Sequence, residues 1–97
     1  MSLLDQALDV LRARQSMARA LGVELVGVVG SVARGEERPD SDVDVVYERI
    51  GKPSLFDLGG LLMDLQDDLG RGVDLIDPSA MKPDRWTYMS RDLVRLS

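Results

Sequence analysis

Apolar residues recur along this chain in two different periods, and the switches between them outline an architecture. Leu4, Ala7, Leu8, Leu11, Ala18 and Leu21 return near every third or fourth position. That spacing lines one side of a helix, so residues 3 to 20 are predicted to form an amphipathic helix. Ser2 and Asp5 stand where a hydroxyl and a carboxylate answer the free N–H groups of its first turn, and Gly22 stops it. From Val23 to Val29 the pattern becomes an almost unbroken β-branched run, as expected of a central strand covered on both faces. Gly30 and Ser31 make a turn, residues 32 to 36 a short helix, and Gly35, Pro39, Asp40 and Ser41 mark a loop. Asp42 to Glu48 is predicted as the second strand.

After a break at Gly51, Lys52 and Pro53, Ser54 can cap a second amphipathic helix. Leu55, Leu58, Leu62, Leu65 and Leu69 outline it and Gly70 ends it. Gly59 and Gly60 weaken this helix by about 1 kcal/mol each relative to alanine, so either they let another segment pack close or they are simply tolerated. Val73 to Ile76 is a short third strand, closed by Pro78. Residues 83 to 92 are predicted as a last helix, with Pro83 at a permitted first-turn position, and Leu93 to Leu96 either continue it or form a small edge strand. Trp86, Met89 and Leu93 fall at helical spacing and are expected to pack on the sheet. The order of elements predicts an α/β (α+β) fold, a small mixed β-sheet flanked by helices in two or three layers. The length of 97 residues suits one domain, residues 1–97.

Composition narrows the chemistry. Lys plus Arg number 12 against 17 Asp plus Glu, a net charge of −5. An acidic balance argues against direct nucleic-acid binding or attachment to an anionic membrane, whose affinity comes from basic residues. With no cysteine and no histidine, thiolate and imidazole are removed from both metal binding and acid–base chemistry. Carboxylates, hydroxyls and Arg or Lys remain. No apolar run approaches the ~20 residues that span a bilayer, and no signal peptide is visible, so a cytoplasmic protein is expected.

The chemistry concentrates between the first two strands. Asp42 and Asp44 fall two apart in a run that otherwise reads as buried, which puts both side chains on one face with Cα atoms about 6.5–7 Å apart. Desolvated carboxylates are costly unless something compensates them. Asp74 repeats the pattern, an acid between Val73 and Leu75. If the third strand lies beside the second, the three acids cluster and repel, and divalent cations remove that repulsion. All-oxygen ligands suit Mg²⁺ or Mn²⁺, and two such ions about 3.5–4 Å apart are the usual arrangement for in-line attack on phosphorus. Gly30 lets the backbone approach a phosphate closely, and Ser31 offers a hydroxyl and an N–H. A triphosphate lying between that turn and the acids would bring its α-phosphorus near Asp74.

Gly30-Ser31, ten intervening residues, Asp42-Val43-Asp44 and a later strand with Asp74 resemble the nucleotidyltransferases of the DNA polymerase β superfamily. The fuller strings, Gly-Ser-Val-Ala-Arg-Gly over 30 to 35 and Arg-Pro-Asp-Ser-Asp-Val-Asp over 38 to 44, resemble the minimal nucleotidyltransferase antitoxins of prokaryotes. The resemblance covers residues 22 to 77 well and the termini in outline. One departure is Val45, where leucine is usual, and it keeps an apolar inward side chain. The resemblance implies the nucleotidyltransferase fold, Mg²⁺, and ATP as the donor of a nucleotidyl group to a hydroxyl. It implies a partner, a helical HEPN ribonuclease toxin, inactivated by attachment of AMP to a tyrosine. On it, Gly30 and Ser31 bind phosphate, Asp42 and Asp44 bind metal, and Asp74 is both ligand and base. Arg34 and Arg38 match family positions and are assigned phosphate or acceptor contacts.

Other readings of the same residues fare worse. An EF-hand starting at Asp40 needs Gly at its sixth position and Glu at its twelfth, where Val45 and Gly51 stand. A Walker loop needs Gly-Lys-Ser/Thr, which does not occur. Two functional alternatives stay open: an antitoxin that neutralises its toxin by complex formation alone, and transfer to a small molecule such as an aminoglycoside. The short chain disfavours the latter, since those enzymes carry an additional helical domain.

Overall fold

Ser2 starts the first helix as its hydroxyl allows: its Oγ accepts from the Asp5 N–H at 3.1 Å. The computed structural model describes residues 1–97. Its elements are α1 (Leu3–Ala20), β1 (Val23–Val29), α2 (Gly30–Arg34), β2 (Val43–Arg49), α3 (Leu55–Leu69), β3 (Val73–Ile76), α4 (Pro83–Met89) and β4 (Val94–Arg95), with 3-10 turns at Pro78–Ala80 and Ser90–Asp92. Ser54 caps α3 in a reciprocal box with Asp57, and Gly70 closes that helix in a left-handed conformation.

The four strands form one mixed sheet in the order β3-β2-β1-β4. β1 runs antiparallel to both β2 and β4, whereas β2 and β3 are parallel. A parallel pair needs a crossover, and α3 supplies it. A bulge between Leu25 and Gly27 changes which β1 residues face inward, so Val23 and Leu25 precede it in the core and Val28 follows. Val43, Val45 and Tyr47 of β2 face the same core, against Leu11 of α1 and Leu61 and Leu65 of α3. Val29 and Val46 are also buried but lie outside that cluster, on the opposite face. Helices α1 and α3 therefore cover one side of the sheet, and the other side carries Asp44, Val46 and Asp74. No helix is long and apolar enough to cross a membrane.

Four expectations change. The short helix runs Gly30–Arg34 and not 32 to 36, because Gly35 takes a left-handed conformation that ends it. β2 begins at Val43, so Asp42 stands just before the ladder instead of inside it. The last helix ends at Met89 and not at residue 92, because a 3-10 turn then redirects the chain into the two-residue edge strand β4. Trp86, Met89 and Leu93 are half-buried, yet none belongs to the core or to the apolar residues packed on it. That core closes between α1, α3 and the sheet without α4.

Candidate active site

The site is built where β1 ends and β2 begins. Gly30 takes a positive φ of 78°, which turns the chain directly from β1 into α2. A second constraint holds the same residue: a Cβ there would strike the carboxylate of Asp44 and lie 3.4 Å from its Cγ. The turn is thus pressed against the acid. No side chain caps α2, which opens directly at Gly30 and Ser31.

Asp44 and Asp74 are register partners across the parallel β2–β3 pair. Asp44 is half-buried and Asp74 exposed. Burial pushes the Asp44 carboxyl above the ordinary carboxylate range, and the charges of Asp74 and then Asp42 push it the same way. A hydrogen bond with Asp74 acts in the same direction, and the Arg34 guanidinium opposes all of these. Asp42 is exposed, and its carboxylate rests on Gly72, where a Cβ would come within 2.9 Å of its Cγ. The Gly72 carbonyl accepts from the Val43 N–H at 3.0 Å, which joins the starts of the two strands.

The sequence motifs are therefore brought together in space: the Gly30-Ser31 turn, Asp44 and Asp74 adjoin, with Asp42 close enough for its charge to act on Asp44. As the side chains stand, no three carboxylates come close enough to share one metal ion. The donor set nevertheless fits a hard divalent cation: it is all oxygen, and Asp44 carries a repulsion that a cation would relieve.

The two arginines differ. Arg34 donates to Asp92 at 2.7 Å and to Glu36 at 3.2 Å, which ties α2 to the C-terminal segment. Those two hydrogen bonds, Asp92 first, hold its guanidinium above the ordinary arginine range. Arg38 is exposed, and its backbone closes a turn with Ser41 in which the Arg38 N–H donates to Ser41 Oγ at 2.8 Å. Arg71 steadies that loop by donating to the Ser41 carbonyl at 3.0 Å. Gly72, Arg71 and Asp92 escaped sequence reasoning. The first had a signal, a glycine directly before an acid-bearing strand, while the other two act through contacts 30 and 58 positions away along the chain.

Known proteins resemble this chain in sequence and in fold. The profile of the family described as "Nucleotidyltransferase domain" matches residues 6–94. A relative from Thermococcus cleftensis, named protein adenylyltransferase MntA, is 36% identical over 92 residues, covering 94% of this chain and 93% of its own. A solved structure named for a minimal nucleotidyltransferase superposes with a TM-score of 0.72 at 34% identity, covering 90% of this chain and 93% of that one. A chain from a toxin–antitoxin crystal structure with AMP-PNP shares the fold, with a TM-score of 0.67 at 18% identity over 96% of this chain and 71% of that one.

Proposed function

This chain belongs to the nucleotidyltransferase domain family, and from that premise we propose that it is an antitoxin enzyme transferring AMP from ATP to a tyrosine hydroxyl of a cognate HEPN ribonuclease toxin. One observation carries the reading: Asp44 and Asp74 sit in register on adjacent strands, against the Gly30-Ser31 turn. A protein acceptor, in place of a small molecule, is supported by the name of the Thermococcus cleftensis relative, which this chain matches over nearly its full length.

In this reading Asp42, Asp44 and Asp74 hold Mg²⁺ as two ions, with Mn²⁺ an acceptable substitute. Bound there, such ions neutralise the triphosphate and favour ionisation of the acceptor hydroxyl. The rest is done by the chain itself. Gly30 and Ser31 receive the outer phosphates through their backbone N–H groups and the Ser31 hydroxyl. Arg34 and Arg38 add positive charge to the same side. Asp74, the more exposed of the register pair, takes the tyrosine proton. The tyrosine oxygen bonds to the α-phosphorus as the bond to the bridging oxygen breaks, and pyrophosphate departs toward Ser31.

The test is to incubate the chain with labelled ATP, Mg²⁺ and the HEPN protein encoded beside it. Label on the toxin is expected, and its complete loss with Asp44→Ala. An Asp44→Ala variant that still protects cells fully from the toxin would replace transfer with simple complex formation.

A further inference from the structure

Asp92 lies outside the sequence motif, yet it grips the motif's Arg34. Its carboxylate accepts from Arg34 Nη1 at 2.7 Å, the length of a strong charge-assisted hydrogen bond. Glu36 engages the same guanidinium at 3.2 Å, but its side chain is 66% exposed where that of Asp92 is 24%. Exposed pairs contribute little, so Asp92 is the partner that fixes Arg34. Arg34 stands four residues after Gly30 in α2, which puts both on one face of that helix. Helical side chains lean back toward the N-terminus, which aims Arg34 at the contact between Gly30 and Asp44. Its charge reaches Asp44, where it opposes the upward shift of that carboxyl. The bonds to Asp92 and Glu36 take two of the five N–H groups of a guanidinium. Three more remain to meet a phosphate.

The segment that carries Asp92 is held by other means than Arg34. Asp92 ends the 3-10 turn Ser90–Asp92, closed where the Leu93 N–H donates to the Ser90 carbonyl at 3.1 Å. β4 follows and pairs with β1, Val94 against Val28 and Arg95 against Gly27. Gly27 lets that strand lie close, since a Cβ there would come within 2.9 Å of the Val94 carbonyl carbon. The Leu96 N–H then donates to the Val26 carbonyl at 3.1 Å. Arg12 of α1 forks the Leu96 carbonyl through Nε and Nη2, at 3.1 and 3.0 Å. Asp92 is thus two residues from a strand fixed to the centre of the sheet. Arg34 is a long side chain, 42% exposed, on a helix of five residues. In such a pair the fixed acid orders the free arginine.

We propose that Asp92 is a positioning residue for nucleotide binding: through its ion pair it holds Arg34 in the orientation that receives the triphosphate of ATP. This rests on the ATP site read from Asp44, Asp74 and the Gly30-Ser31 turn, and extends it to the C-terminal turn. An arginine loses much rotamer freedom when it is ordered. Asp92 has removed that freedom before ATP arrives, so binding does not bear the loss. The repulsion between this acid and the triphosphate is answered by the guanidinium it pairs with.

Titration calorimetry of the full chain with ATP and Mg²⁺ tests this without an acceptor protein. Asp92→Ala should weaken ATP binding about 10-fold, the worth of one pre-ordered side chain, and Arg34→Ala at least as much. The two together should be no worse than Arg34→Ala alone, because Asp92 acts through Arg34. Asp92→Glu should recover most of the affinity, and Glu36→Ala should bind as wild type does. Asp92→Ala that binds ATP as tightly as wild type, or tighter, overturns the proposal. So does a double variant that binds about 10-fold more weakly than Arg34→Ala, since Asp92 would then act by another route. If the variants follow this pattern but wild type puts no label on the toxin, the transferase reading falls and the role of Asp92 stands. A wild-type chain that binds no ATP overturns both.

Discussion

Two pairs of glycines in this protein have opposite surroundings. At Gly30 and Gly72 a Cβ would run into a carboxylate, that of Asp44 in one case and that of Asp42 in the other. At Gly59 and Gly60 it would meet nothing. The first pair is small because the acids press on it, so its glycines belong to the site as much as the acids do. Nothing inside the chain requires the second pair to be small. The same residue type thus stands in two different settings, and the contact around the absent Cβ tells them apart.

The contrast breaks first at Gly30. Alanine there must hold the left-handed conformation that Gly30 adopts at φ 78° and must also push the Asp44 carboxylate aside. A non-glycine residue in that region costs about 1–3 kcal/mol, and misplacing a reacting group by about 1 Å costs on the order of 100-fold in rate. Gly30→Ala should therefore lose stability in urea unfolding and nearly all AMP transfer. Wild-type transfer in that variant would separate the glycine from the acid.

Asp44→Asn sharpens the same side with the opposite sign. Folding raises the Asp44 pKa through burial and the neighbouring charges of Asp74 and Asp42. The unfolded chain therefore gives up this proton first, and stability falls as pH climbs from the ordinary aspartate range through the raised one. At neutral pH the ionised carboxylate costs stability, so Asp44→Asn should be more stable than wild type while losing transfer. The advantage should shrink as pH falls and vanish once Asp44 is protonated in both states. Added Mg²⁺ should narrow the gap at neutral pH by stabilising wild type alone. Urea unfolding at several pH values, with and without Mg²⁺, checks both statements.

How far the sequence could be read follows from the range of each cause. Ser2, Ser54 and Gly70 act within one turn of the helices they bound, and the predicted limits of α1 and α3 agree with the structure. The Asp-x-Asp spacing and the acid in β3 could be read as a cluster because strand period fixes faces, and the parallel β2–β3 register supplied the neighbour. Asp42 showed the limit of that reasoning: the ladder starts one residue later than the apolar run suggests, where the Val43 N–H finds the Gly72 carbonyl. Gly27 was hidden for the same reason. A Cβ there would lie 2.9 Å from the Val94 carbonyl carbon, so its cause is β4, a strand of two residues at the far end of the chain. Arg34 could be tied to phosphate by its place in the motif, but its bond to Asp92 spans 58 positions and has no local pattern.

Gly72→Ala should have a smaller effect than Gly30→Ala, and a selective one. Gly72 does not need a positive φ, and the group its Cβ would meet is the free end of the Asp42 side chain. That carboxylate can rotate away at little cost to the fold. Urea unfolding should be within about 0.5 kcal/mol of wild type, the range of ordinary surface substitutions. Transfer should still drop by about 10–100-fold, as when the support of a metal ligand is lost. Equal losses of stability and transfer would mean that Gly72 serves the strand pairing and not Asp42.

The smallest effect is expected at the other pair, and its sign is what matters. Gly59→Ala and Gly60→Ala place a methyl group in open space and remove the backbone freedom that glycine gives the unfolded chain. Each should raise stability by about 0.5–1 kcal/mol. For a domain of this size that is about 4–8 °C in Tm per kcal/mol. Transfer should not change, because α3 faces the side of the sheet away from Asp44 and Asp74. Destabilisation by either alanine would mean that something within the single chain needs these glycines after all. The two pairs would then share one explanation, close packing inside the fold.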